Sequence, residues 1–337
     1  MSSIVLALSM VHADPLVAQS SSQPTDIRTI VVTSQHIRNF HRDGHARPIV
    51  GQLRWRGGLR LSSEDERFGG FSGLEIAPDG QSFLAVSDAG TWISGNIAYK
   101  EGRPTAITGA LSGPLKALEN RPLRRSRDRD AEAVRQLRGS LQNGIAIVAF
   151  ERNQRIGFFP IRDGVINGPI KYLRPPLRLP PNKGLEAVTP IRIRGHRFDL
   201  VAFAERALDR NGHHRGWIWK NGRGTPREVA MTNPGGFDIT DTASLADGGL
   251  LVLERRYRLL EGVKMRLRLV PAMRLASKVL SGRTLIRTDM RYYIDNMEGL
   301  AVHRSPAGRT VITMISDDNF NPLLQDTLLL QFEMLDE

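Results

Sequence analysis

Ten acidic residues recur along this chain in a pattern. Glu75 is followed by Asp88, Glu132 by Glu151, Glu186 by Glu205, Asp238 by Glu254, and Glu298 by Asp317. The first members are separated by 57, 54, 52 and 60 residues, and each second member follows its first by 13, 19, 19, 16 and 19 residues. Several sit in apolar runs, as Glu186 does beside Leu185, Ala187 and Val188. A carboxylate there is costly unless something pairs with it. Gathered in one place, such carboxylates repel strongly unless cations intervene. Oxygen-only ligation without cysteine suits a hard cation, Ca²⁺ first and Mg²⁺ second. A second reading stays open: the acids tie neighbouring segments together through arginines. Arg152, Arg206 and Arg255 directly follow Glu151, Glu205 and Glu254, whereas no arginine follows Asp88 or Asp317. Metal ligation is therefore expected first on the Asp88 and Asp317 side. Successive strand residues face opposite ways, so no glutamate is expected to pair with the arginine next to it.

The spacing says what must position these acids. Between the members of each pair lies a turn signal: Pro78-Asp79-Gly80, Gln142-Asn143-Gly144, Gly195-His196, Asp247-Gly248-Gly249 and Pro306-Ala307-Gly308. Each unit thus opens with two strands joined by a tight turn, and the two acids meet at one end of the hairpin. Further strand pairs follow, as in "RIGFFPIRDGVI" and "GWIWKNGRGTPREVAM". Four short strands per unit of roughly 50 residues is the pattern of a β-propeller blade. Equivalent positions of successive inner strands then form rings, placing all ten acids around one mouth of the central channel. Five acidic units predict five blades; a sixth would hide in the N-terminal segment and in residues 255–295. "VPAMRLASKVLSG", Val270 to Gly282, reads as a short helix or further strands. The last unit is short, and "GQLRWRGGLRL", Gly51 to Leu61, is expected to complete it and close the ring.

Composition limits the remaining classes. The 337 residues contain no cysteine, which excludes disulfides, thiolate metal sites and a cysteine nucleophile. The net charge of +12 suits nucleic acid, anionic lipid or a small polyanion, and equally a GC-rich genome that favours arginine codons. Basic residues are spread and aromatics make up 6%, which argues against nucleic-acid binding. "MSSIVLALSMVHADPLVAQSSSQP" has an apolar stretch, with Val11 and Ala13 placed as before a signal cleavage site. Residues 1–24 are read as a signal peptide and lead-in, and 25–337 as one domain, periplasmic or secreted and monomeric. No other stretch is long and apolar enough to span a bilayer. "RDGHARP" has Asp43 where a histidine phosphatase needs its nucleophile, and "GFSGL" around Ser72 is not a nucleophile elbow. His213-His214 reads as a solvated turn, and no phosphate-binding glycine loop is present.

The stretches "GGFSGLEIAPDG", "SDAG", "DAEA", "NKGLEAVT", "FAER", "GFDITD", "LLVLERRY", "DNMEGLAV" and "SDDNFNPLLQDTLLLQF" resemble the phytase-like family, also described as "esterase-like activity of phytase". The resemblance runs from about Gly51 to Phe332. It implies an exported, metal-binding propeller with phosphoester or carboxylester hydrolysis as its nominal activity. A small anionic substrate such as a phosphoester would then meet Arg152, Arg206 and Arg255 as clamps. Two alternatives remain: a non-enzymatic propeller that binds a partner at the cell envelope, and a metal-dependent esterase or lactonase.

Overall fold

The computed structural model describes residues 26–180, 183–193 and 198–335. The expected signal segment, residues 1–24, and the Gly195-His196 turn lie outside the described residues. The rest forms five mainly antiparallel sheets arranged as the blades of a β-propeller. The inner strands are Phe71–Ile76, Ala131–Gly139, Leu185–Ile191, Asp238–Ser244 and Asn296–Arg304. Each pairs with the next strand through the expected hairpin.

The strands that follow each inner one read as unbroken apolar runs, for example "GIAIVAF" (Gly144–Phe150) and the start of Leu250–Arg258, "LLVLE". Such runs mean that both faces of the sheet are buried. Accordingly, each of the five apolar clusters sits between two adjacent blades. Phe150, Val134 and Trp92 lie between the first and second; Leu253, Met297 and Leu330 between the fourth and fifth.

The ring closes as the sequence predicts. Leu53–Ser62 pairs with Thr327–Met334, so an N-terminal strand supplies the fourth strand of the last blade. No sixth blade hides in residues 255–295. That stretch provides the remaining strands of the fourth blade, Gly262–Val270 and Arg283–Asp289. Between them, Ala272–Arg274 forms one 3₁₀ turn, and Val279–Leu280 pairs in parallel with the outer strand of the third blade. No helix among the described residues is long and apolar enough to cross a membrane.

Candidate metal centre at the channel mouth

Every inner strand carries a β-bulge near its start. The bulged residues are Ser72, Glu132, Glu186, Thr240 and Glu298. A bulge sets two residues against one and re-aims the extra side chain. These five positions are therefore the true structural equivalents, one per blade. Just outside them stand Asp88, Glu151, Glu205, Arg255 and Asp317, each one residue beyond the partner of the pre-bulge residue. The residues preceding each inner strand, or opening it, complete the mouth. Among them are Asp130, Asp238 and Asn296.

The sequence-based rings are thereby corrected at three places. Glu75 lies three positions past the bulge, below the mouth. It faces a cavity at the opposite end with Gln136 and His303, and one oxygen is 4.0 Å from Arg135. Glu254 falls one residue short of the ring, on the other face of its strand. There it is fully buried and binds Arg266 at 2.6 Å and Arg268 at 2.5 Å. Arg255 takes its place at the mouth. Asp238 precedes the bulge by two residues and lies at the rim, 2.9 Å from Arg206. The remaining acids, Asp88, Glu132, Glu151, Glu186, Glu205, Glu298 and Asp317, do gather at one end, and Asp130 joins them unforeseen. It occupies the same place in "RDRDAEA" as Asp238 in its own blade, which an alignment on the bulges reveals.

Among the described residues, two sets of carboxylates come within ligand-sharing reach, with oxygens within 4.8 Å of one another: Asp130, Glu132 and Glu151, and Glu151, Glu186 and Glu205. They meet at Glu151, on the boundary of the second and third blades. The closest grouping is thus not around Asp317, whose two oxygens accept from the Asn319 N–H at 2.7 Å and the Asn296 amide at 3.1 Å. The neighbouring Asp318 is structural: it accepts from Gly70 N–H and Thr327 hydroxyl, both at 2.9 Å, and so ties the last blade to the first.

The electrostatics match crowded acids. Burial pushes the Glu132 and Glu186 carboxyls well above the usual range, and their acidic neighbours push them further. Burial and then Glu298 raise Asp317 to about 8. Burial raises Glu205 to about 7 against the pull of Arg206 and Arg255, and Asp130 to about 6 against that of Arg152. All three mouth arginines are paired. Arg152 lies 3.3 Å from Asp130. Arg206 reaches both Asp238 and, contrary to the alternation argument, its neighbour Glu205 at 3.2 Å. Arg255 bridges Glu205 at 3.2 Å and Glu298 at 3.6 Å. The acids thus divide: Glu205 and Asp238 pair with arginines, while among the described residues Glu132 and Glu186 make no ion pair.

Below the ring the channel is stoppered. Arg135 reaches from the second blade across to the fourth. It binds Asp241 at 2.6 Å and donates to the carbonyls of Leu74 at 2.8 Å and Thr242 at 3.1 Å. The Thr189 and Thr242 hydroxyls meet at 2.8 Å beside it. The mouth is a cup rather than a through-passage.

The family description "Phytase-like: Esterase-like activity of phytase" matches residues 66–320. The chain belongs to the phytase-like family. The matched residues run from the approach to the first blade into the loop after Asp317, so all the carboxylates of this mouth fall within the family domain. No curated protein sequence matches the chain. Among solved structures, a thermostable family-43 glycoside hydrolase is similar at TM-score 0.52 and 9% identity, covering 80% of this chain and 91% of its own. An endo-arabinase from Bacteroides thetaiotaomicron VPI-5482 gives 0.48 and 10%, covering 80% and 94%. The gluconolactonase XC5397 from Xanthomonas campestris gives 0.41 and 8%, covering 83% and 78%. At these identities the first likeness speaks to the propeller fold alone.

Proposed function

We propose that this phytase-like propeller is an exported hydrolase of phosphoric esters, acting at the channel mouth with a hard divalent cation, calcium before magnesium. The observation that carries the reading is the pair of carboxylate triads meeting at Glu151. Their donors are all oxygen, and burial raises the carboxyls of Asp130, Glu132, Glu186 and Glu205, with mutual repulsion adding to it. That donor chemistry fits a hard cation and suits no soft one. Asp130, Glu132, Glu151, Glu186 and Glu205 would hold it. When bound, it would draw charge from phosphate oxygens and acidify a water.

The chain's own groups do the rest. Arg152, Arg206 and Arg255 rim the cup with guanidinium forks that suit phosphoryl oxygens. Their ion pairs hold them in place before substrate arrives, which lowers the cost of ordering on binding. Asp317 keeps a proton near neutral pH and supplies a donor for a leaving alkoxide. The Arg135–Asp241 stopper makes substrate enter and product leave by one opening.

The test is a phosphate-release screen over phytate and simple phosphomonoesters, with calcium and with chelator. Calcium-dependent release that falls at least tenfold in Glu186→Gln supports the reading. Release unaffected by chelator, or no release from any phosphoester while carboxylesters or lactones are cleaved, overturns it.

A further inference from the structure

Outside the channel, the second blade carries a cleft of about 550 Å³. That volume lies in the range of small-ligand sites, about 300–1,000 Å³. One wall is the segment 117–125, which carries Arg121, Arg124 and Arg125; the other carries Arg155, Tyr172 and Arg174. Among the described residues, Asp128 is the one acid that lines the cleft. Among the described residues the Arg124 and Arg125 guanidiniums make no hydrogen bond or ion pair.

Arg155 is the telling residue. It is 2% exposed, yet among the described residues no carboxylate lies within ion-pair distance of it, and Asp128 acts on it only from farther off. Its guanidinium donates to two neutral carbonyls, Asn153 at 2.9 Å and Asp128 at 2.5 Å, and lies 3.8 Å over the Phe150 ring. A buried charge without a close counter-charge is costly. Other buried arginines of this protein avoid that state: Arg135, Arg266 and Arg268 all have carboxylates. An anion entering the cleft would supply the close counter-charge that Arg155 lacks. With guanidiniums on both walls, one anionic group cannot satisfy the site.

We propose that this cleft is a binding site for a small ligand carrying two or more oxyanion groups, phosphate or carboxylate, separate from the channel mouth. Planar guanidinium forks take either group in a bidentate manner, and the Tyr172 ring and Leu123 supply apolar wall for the ligand's body. The site stands whether or not the channel hydrolyses anything.

The experiment is calorimetric titration of the full chain at about 0.15 M salt, where long-range attraction is screened beyond about 8 Å. The probes are inorganic tripolyphosphate and citrate, and chelator is present throughout so that phosphate bridged by a cation at the mouth is not read. Saturable binding of either probe, weakened at least tenfold in Arg124→Ser/Arg125→Ser and unchanged in the surface control Arg103→Ser, supports the site. Asp128→Asn, which removes the acid from the lining, is expected to bind at least twofold more tightly. Tripolyphosphate without citrate assigns phosphate; both assign oxyanions generally. The proposal is overturned if neither probe binds, if Arg103→Ser loses as much as the double variant, or if single-stranded DNA or a sulfated glycan competes with equal affinity through the same arginines.

Discussion

Glu254 and Glu186 carry the same charge into the same kind of apolar strand, yet their surroundings give opposite expectations. Glu254 is enclosed by Arg266 and Arg268. Glu254→Gln leaves two buried guanidiniums without their carboxylate and should cost about 3 to 5 kcal/mol, as for a broken buried ion pair. Urea unfolding measures it, and the response to calcium should survive. The strongest influences on Glu186 are burial and the carboxylates Glu132 and Glu205, and Arg255 acts on it without an ion pair. Glu186→Gln removes repulsion, so the metal-free protein should be no less stable while calcium affinity falls. A loss of several kcal/mol in metal-free Glu186→Gln would reject the crowded-acid account. The sequence shows both glutamates in apolar runs. It does not show which way each faces, because one residue of slip moves a strand side chain to the other face.

At the scale of the element, that slip comes from the bulge. The repeat, the hairpins and the strand that closes the ring follow from turn residues and spacing, and the structure agrees. The rings depend on where each inner strand gains its extra residue, and acidity does not mark that place. Aligning on carboxylates drew Glu75, Asp238 and Glu254 into the rings and gave Ser72, Thr240 and Arg255 no ring position. Aligning on the residues after the bulge would have found it: Gly73, Ala133, Ala187, Asp241 and Gly299 are mostly small because inner strands converge there. At Gly73 a Cβ would lie 2.7 Å from the Val134 nitrogen and 2.8 Å from the Ala133 Cα. Both are backbone atoms of the next blade, which cannot swing aside. Gly73→Ala should therefore separate the first two inner strands and cost about 1 to 3 kcal/mol, the usual range for overpacking. Equilibrium denaturation beside the wild type checks it, and an unchanged midpoint would mean that the blades are not so closely seated.

For the whole molecule, the five blades are held by five apolar interfaces, and the acids work against that closure wherever their inner strands meet. The sequence could report the number of acids but not this tension, which needs their burial and mutual distance. It has a sign that can be measured. Glu205, near 7, and Asp317, near 8, hold protons that the unfolded chain, with carboxyls near 4, has released. The folded state then binds more protons than the unfolded one, so stability falls as pH rises through the folded values. His303 acts oppositely: burial lowers it to about 4, so its contribution grows with pH up to the ordinary histidine value. The clean window is therefore from about pH 6.5 to 8. There the metal-free protein should melt at progressively lower temperature. A divalent cation at the triads would replace protons and remove the repulsion, so calcium should flatten the slope and stabilise more at pH 8 than at pH 6.5. At a hundredfold excess over its dissociation constant it contributes about 2.7 kcal/mol. Calorimetry in buffers of different ionisation enthalpy should show protons released as calcium binds. Parallel melting curves with calcium and with chelator across this window, or a metal-free protein that gains stability towards pH 8, would show that the acids at the mouth are satisfied without a cation.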